Sequence, residues 1–197
     1  MNRATHFAIL LAALLAPFTA ALAETRAWHF RVFLDEREIG YHRFTLSGEG
    51  EARELRSEAR FQVRVLGFTA YRYVHEASER WQAGCLRSLA SSTDDNGEPV
   101  AVDWRAEPGV CAMSFAYWNP KILQGGPLLN AQTGKLEPVT VTPRGEETIE
   151  LRGRPALAQR YRLSGQRLAI DLWFANREWV ALESEAQGGR RLRYRLI

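Results

Sequence analysis

From Glu54 to Val65 the chain alternates without a break: Glu54, Arg56, Glu58, Arg60, Gln62 and Arg64 fall between Leu55, Ser57, Ala59, Phe61, Val63 and Val65. A period of two over that span describes a β-strand wetted on one face and buried on the other. At ~3.3 Å per residue it runs about 40 Å, long for a flat sandwich strand and suited to a strongly curved sheet or a barrel wall.

The same period recurs. Trp28, Phe30, Val32 and Leu34 share one face, as do Tyr71, Tyr73 and His75. Later, Leu168, Ile170, Leu172 and Phe174 oppose Arg167, Asp171 and Trp173, and Leu192, Tyr194 and Leu196 oppose Arg191, Arg193 and Arg195. Turn residues separate the runs at Asp95-Asn96-Gly97, Glu107-Pro108-Gly109, Ser164-Gly165-Gln166, Ala175-Asn176-Arg177 and Gln187-Gly188-Gly189. The pattern predicts a mostly-β domain, a single antiparallel, strongly curved sheet closing into a barrel or half barrel. One irregular insert, at about 119–135, divides a meander over 28–118 from another over 136–197. Within it, Asn119 as N-cap and Pro120 at the first position predict one helical turn around Pro120–Leu123.

Residues 1–23 read as a secretory signal peptide: Arg3 in a basic start, an apolar run over Phe7–Leu15, and Ala21-Leu22-Ala23 before the expected cut at Glu24. Residues 24–197 then form one exported β domain, periplasmic or secreted. Net charge is +3, nearly all of the positive charge is arginine, and the arginines are interleaved with Glu and Asp. No single-sign block of the kind that grips nucleic acid is present. Arginine forks leave contact with phosphate or lipid headgroups open, and with it peripheral contact with the envelope.

Cys85 and Cys111 are the only cysteines. In an oxidising compartment they are expected to pair. A plain meander over 86–94, 100–105 and 110–115 would hold them about 10 Å apart, beyond the roughly 7 Å that a disulfide spans. Pairing therefore requires Cys85 to lie past its strand end, near the Pro108-Gly109 turn; two inert buried thiols are the alternative. Thr93-Asp94-Asp95-Asn96-Gly97 has the oxygens of half a calcium loop but no later bidentate glutamate, so a type I′ hairpin turn is expected. His29 and His42 are placed on polar faces, and His75 points inward beside Tyr71 and Tyr73. No metal-ligand spacing, no G-x-S-x-G nucleophile elbow and no phosphate-cradling glycine loop occurs, so neither a catalytic residue nor a cofactor is assigned.

The most distinctive string is Ser114-Phe115-Ala116-Tyr117-Trp118-Asn119-Pro120. Three aromatics in four residues are expensive to leave in water. They either plug one end of the sheet or, with Leu128-Leu129-Asn130, form the mouth of an apolar pocket. The second reading gives a candidate ligand site of Phe115, Tyr117, Trp118, His75, Tyr71, Tyr73, Leu128 and Gln159, with Ser184 as a further inward polar group.

Gly84-Cys85-Leu86, Thr93-Asp94-Asp95-Asn96-Gly97, Phe115-Ala116-Tyr117-Trp118-Asn119 and Leu129-Asn130-Ala131-Gln132-Thr133-Gly134 together resemble a family of secreted bacterial β-rich proteins of unknown function. The likeness spans the mature chain, and is distantly similar to envelope proteins whose antiparallel sheet curls into a barrel or half barrel. It implies fold and compartment and assigns no residue a role. The leading functional expectation is an exported binding protein for an apolar or lipid-like ligand. The alternative is a structural or interaction protein of the envelope with a filled core; an enzyme comes third.

Overall fold

The computed structural model describes residues 24–197; the expected signal peptide, residues 1–23, lies outside them. In chain order the strands are β1 (Arg26–Leu34), β2 (Arg37–Glu49), β3 (Ala52–Val65), β4 (Phe68–Gln82), β5 (Cys85–Asp95) and β6 (Glu98–Arg105). The short β7 (Met113–Ser114) and β8 (Gly126–Leu129) follow, then β9 (Leu136–Leu151), β10 (Arg154–Gly165), β11 (Leu168–Ala175), β12 (Glu178–Ala186) and β13 (Arg190–Leu196). Their spatial order is β6-β5-β4-β3-β2-β1-β13-β12-β11-β10-β9-β8-β7, one mostly antiparallel sheet. The two meanders join through β1 and β13, where Phe30 faces Leu196 and Val32 faces Tyr194. The fold is therefore mostly β and barrel-like.

The long alternating strand forms as its pattern dictates. Leu55 and Ala59 on β3 are buried, whereas Arg56 and Arg60 are exposed. On the wet face Arg60 binds Glu58 at 2.7 Å and Glu76 at 2.8 Å. Gly40 marks where β2 bends away: its φ is +151°, and a Cβ there would collide with the Arg60 carbonyl. Beyond Gly40 opposite Phe61, β3 has no further ladder partner on that side. β11 departs from simple alternation, because Asp171 and Trp173 are buried as well as Ile170 and Leu172. Arg160 and Arg162 of β10 cover Asp171 from the outer face, Arg160 at 2.8 Å.

Closure depends on the insert. Residues 110–115 do not continue the meander beyond β6, as the sequence suggested. They return beside the start of β5, where the Leu86 amide donates to the Ala112 carbonyl at 2.9 Å. β7 then pairs in parallel with β8, which pairs with β9. Because β6 covers β5 only from Ser88 onward, Cys85 is left free to meet Cys111, and the disulfide forms with Cα atoms 4.8 Å apart. The expected helical turn is present as a 3₁₀ turn over Pro120–Gln124, with the Asn119 side chain accepting from the Lys121 amide. Asn96 and Gly97 both take positive φ, the hairpin turn expected there. Among the described residues, no helix is long and apolar enough to cross a membrane.

Candidate functional site

The inner face of β4 carries more polar chemistry than a core strand usually does. Tyr73, His75, Glu79 and Trp81 share its inward parity and all are buried. His75 Nδ1 lies 2.8 Å from Thr93 Oγ1 on β5, a partner that offsets part of the cost of burying an imidazole. Burial holds the His75 pKa below its ordinary value. Further along, the Glu79 carboxylate accepts from Trp81 Nε1 and Ser114 Oγ, both at 2.9 Å. No cation pairs with it among the described residues. Desolvation pushes its pKa up to about 7 against those two bonds. Sequence reasoning missed Glu79, although its parity with Tyr73 and His75 was the signal.

A second imidazole joins this wall. His42, placed on a polar face from sequence, points inward instead: it stacks on Phe44 at 4.0 Å and lies 5.7 Å from the Tyr194 ring. Its Nδ1 is 3.3 Å from the Tyr194 hydroxyl, while Nε2 is buried without a partner. Desolvation, reinforced by repulsion from His75, lowers its pKa to about 3. Counting Arg37 to Phe44 as an uninterrupted strand would face His42 as it is seen, since it shares parity with Phe44. The neighbouring Tyr41 and Arg43 form the polar face, with Tyr41 bonded to Glu58 at 2.8 Å. Phe61 closes the group, stacked on Tyr73 at 5.2 Å.

The insert brings its own side chains to the same wall. Tyr117 packs on Trp179 at 5.1 Å and on Phe115 at 6.4 Å. Burial, with the Glu137 carboxylate nearby, raises its phenol pKa. Burial raises Tyr194 and Tyr73 too, and each of these phenols feels its neighbours in the group. Trp118 stands edge-on to Trp81 at 5.3 Å, and Leu128 is fully buried in the main core. Of the sequence-predicted residues, Tyr73, His75 and Tyr117 thus come together, with Phe115 and Trp118 behind them. Tyr71 lies at the rim, its pKa raised by burial and by the nearby Asp95 carboxylate. Gln159 is apart from the group, on β10 opposite Phe174 of β11.

His42 and Tyr117 are only half-buried, although both pack against aromatic side chains of this wall. Two concavities lie elsewhere, on the outer face. A groove of about 700 Å³ is lined by His29, Arg43, Arg56, Glu58, Arg60 and Glu76. A smaller one, about 260 Å³, is lined by Arg162, Asp171, Glu183 and Arg191 among others. Of the residues predicted for the site, only Ser184 lines either, in the smaller concavity and not in the group around Tyr73 and His75.

Residues 30–197 match the family described as domain of unknown function DUF6134. Among curated proteins, none matches this chain in sequence. A solved structure is similar in fold: the β-barrel-like protein of domain of unknown function DUF1849 from Brucella abortus, with a TM-score of 0.55 and 9% identity. The alignment covers 87% of this chain and 94% of that one, and at such identity it speaks to the fold alone.

Proposed function

The chain belongs to the DUF6134 family, and on that premise we propose that it is an exported, periplasmic binding protein whose barrel interior takes an apolar or lipid-like ligand. The observation that carries this reading is the wall itself: His42 and Tyr117 lie among Phe44, Tyr194, Phe115 and Trp179 and yet are only half-buried. Side chains so placed support an interior that is not completely filled. The wall is apolar and aromatic over most of its area, with polar atoms at a few points. His42 Nε2, Trp28 Nε1 and Trp118 Nε1 are buried without partners. Pockets for apolar ligands have this make-up, a hydrophobic lining with a few polar groups that orient one end of the ligand. The neutral imidazoles and un-ionised phenols offer hydrogen bonds without a fixed charge, which suits an uncharged or protonated head over a carboxylate. The disulfide between Cys85 and Cys111 is compatible with an extracytoplasmic location.

The test is uptake of a fluorescent long-chain fatty acid, parinaric acid, with native mass spectrometry of protein recovered from a periplasm. Saturable binding of one molecule per chain, weakened in Tyr117→Leu, is expected. An absence of saturable uptake and of any co-purifying mass overturns the reading. The second reading, an envelope interaction protein, is favoured by the Arg- and Glu-lined outer groove. It takes the lead if the interior binds nothing.

A further inference from the structure

Between Gln62 and Arg72 the β3–β4 hairpin leaves the sheet. On one side β2 stops pairing with β3 at Gly40 opposite Phe61. On the other, β5 stops pairing with β4 at Asp95 opposite Tyr73. The intervening residues pair only with each other, from Gln62 opposite Arg72 to Val65 opposite Phe68, so a two-stranded ribbon projects from one end of the barrel. Its base is fixed: the Asn96 amide donates to the Arg72 carbonyl, the Arg72 amide donates to the Asn96 side chain, and Arg37 donates to the Arg64 carbonyl. The ribbon is therefore held in a set direction.

Its tip breaks the usual logic of a hairpin turn. Leu66 and Gly67 both have positive φ, and Leu66 is the only large apolar side chain with positive φ among the described residues. Where the other hairpin tips place a non-glycine residue in that conformation it is the small Ala83 or a polar or charged one, Asp35, Asn96, Arg152, Asn176 or Arg177, and asparagine and glycine are the residues it favours. Leu66 is also 93% exposed, and beside it Phe68 is 80% and Val65 53% exposed. Three large apolar side chains thus stand in water at the far end of a projecting arm. Polar residues there would satisfy the turn at lower cost. From Gln62 to Arg72 the arm carries Arg64 and Arg72 and no acidic residue, and Arg37 lies at its base. All three arginines are exposed, and none has a carboxylate within ion-pair distance among the described residues.

We infer that the 62–72 ribbon docks the protein on an anionic phospholipid bilayer, with Leu66 and Phe68 entering the headgroup–acyl boundary and the arginines behind them meeting lipid phosphates. An apolar tip with a basic collar is complementary to a surface that is apolar within and negative outside. A protein groove would need a broader contact than three side chains at the end of a narrow arm provide. The inference is independent of what the barrel interior holds.

Flotation of the purified protein with vesicles of mixed phosphatidylglycerol and phosphatidylcholine tests it, with pure phosphatidylcholine vesicles as reference. Three variants accompany the native chain: Leu66→Asn with Phe68→Thr, Arg64→Gln with Arg72→Gln, and Leu157→Ser as an exposed apolar control far from the tip. Asparagine and threonine suit the turn and strand they enter, so the tip variant is expected to melt no lower than the native protein. Native protein should float with the anionic vesicles, and the tip and arginine variants should each bind about tenfold more weakly or less. The Leu157 variant should float as the native protein does. The inference is overturned if native protein ignores both vesicle types, or if the tip variant floats like the native chain. A dimer seen without lipid by analytical ultracentrifugation and lost in the tip variant likewise overturns it, and assigns the tip to a second copy. Parinaric acid uptake by the same variants keeps this outcome separate from the fate of the interior ligand.

Discussion

Burial without a counter-charge makes Glu79 and His42 titrate in unusual places, in opposite senses. Glu79 titrates near 7 in the folded protein and at its ordinary 4.5 when unfolded. Between those values the folded state holds a proton that the unfolded chain has released, so stability falls as pH rises through the window and levels off above it. In Glu79→Gln the amide copies the protonated acid, accepting from Trp81 and donating to Ser114. Urea unfolding across this range should show the variant gaining on the native protein by up to about 3 kcal/mol as pH rises through 7. An unchanged pH slope would place water or a cation at the carboxylate. For His42 the folded value is about 3 against 6.5 unfolded, so its contribution is complete above 6.5 and is lost as pH falls towards 3. His42→Phe keeps the stack on Phe44 and removes the proton. At about pH 5 it should lose on the order of 2 kcal/mol less than the native protein, relative to neutral pH. Equal acid lability of the two proteins would mean that other groups control acid unfolding.

At the scale of the strand, adjacent residues on β3 have opposite fates. Leu55 is buried and packs into the main core, whereas Arg56 next to it is exposed and bonded only to Glu54 at 2.9 Å. Leu55→Asp buries an unpaired charge and should cost more than about 3 kcal/mol or prevent folding. Arg56→Ala removes one exposed ion pair and should cost about 1 kcal/mol or less. Thermal melts of the two variants check this, and equal effects would contradict the register. This element could be read in the sequence because its period of two is uninterrupted. The hairpin turns could be read because asparagine and glycine state their φ preference locally, and the capped turn at Asn119-Pro120 was legible for the same reason. What escaped was long-range. Asp171 and Trp173 alternate like wet-face residues, yet Arg160, Arg162 and Glu147 from neighbouring strands cover them. Glu79 looks solvated beside Arg80 until Ser114 arrives from the insert. The candidate site was legible to the extent that it lies on one strand, as with Tyr73 and His75. His42 and Tyr194, its contributors from β2 and β13, face inward by parity with Phe44 and Leu196, but that they meet the Tyr73 and His75 wall depends on a sheet curvature that no local pattern records.

For the molecule as a whole, the consequence is an uneven barrel. Most of the circumference is a continuous antiparallel ladder, with β3 and β4 paired along nearly their full length. The last gap, between β5 and the insert, has a single ladder bridge, from Leu86 to Ala112, and otherwise side-chain bonds: Ser91 to the Ala131 carbonyl, Arg87 to the Val110 carbonyl, Asn119 to the Gly84 carbonyl, Lys121 to the Ala83 carbonyl and Ser114 to Glu79. A few hydrogen bonds cannot give this junction the cooperativity of a ladder, so it is the natural place for local opening. The disulfide compensates, because Cys85 and Cys111 immediately precede Leu86 and Ala112 and tie the junction covalently. Linking residues 26 apart in sequence is worth roughly 3–4 kcal/mol on chain-entropy grounds. Hydrogen–deuterium exchange should therefore find the Leu86 amide less protected than amides in the middle of β3. Reduction, or Cys85→Ala with Cys111→Ala, should accelerate exchange at Leu86 and across the insert well before it affects β1–β4. If protection instead fell evenly around the barrel, the junction would be as cooperative as the ladder and the disulfide would act only on the unfolded chain. An opening confined to the junction would expose the Tyr117 and Trp118 side of the interior, giving a ligand a route inward that leaves the main sheet intact.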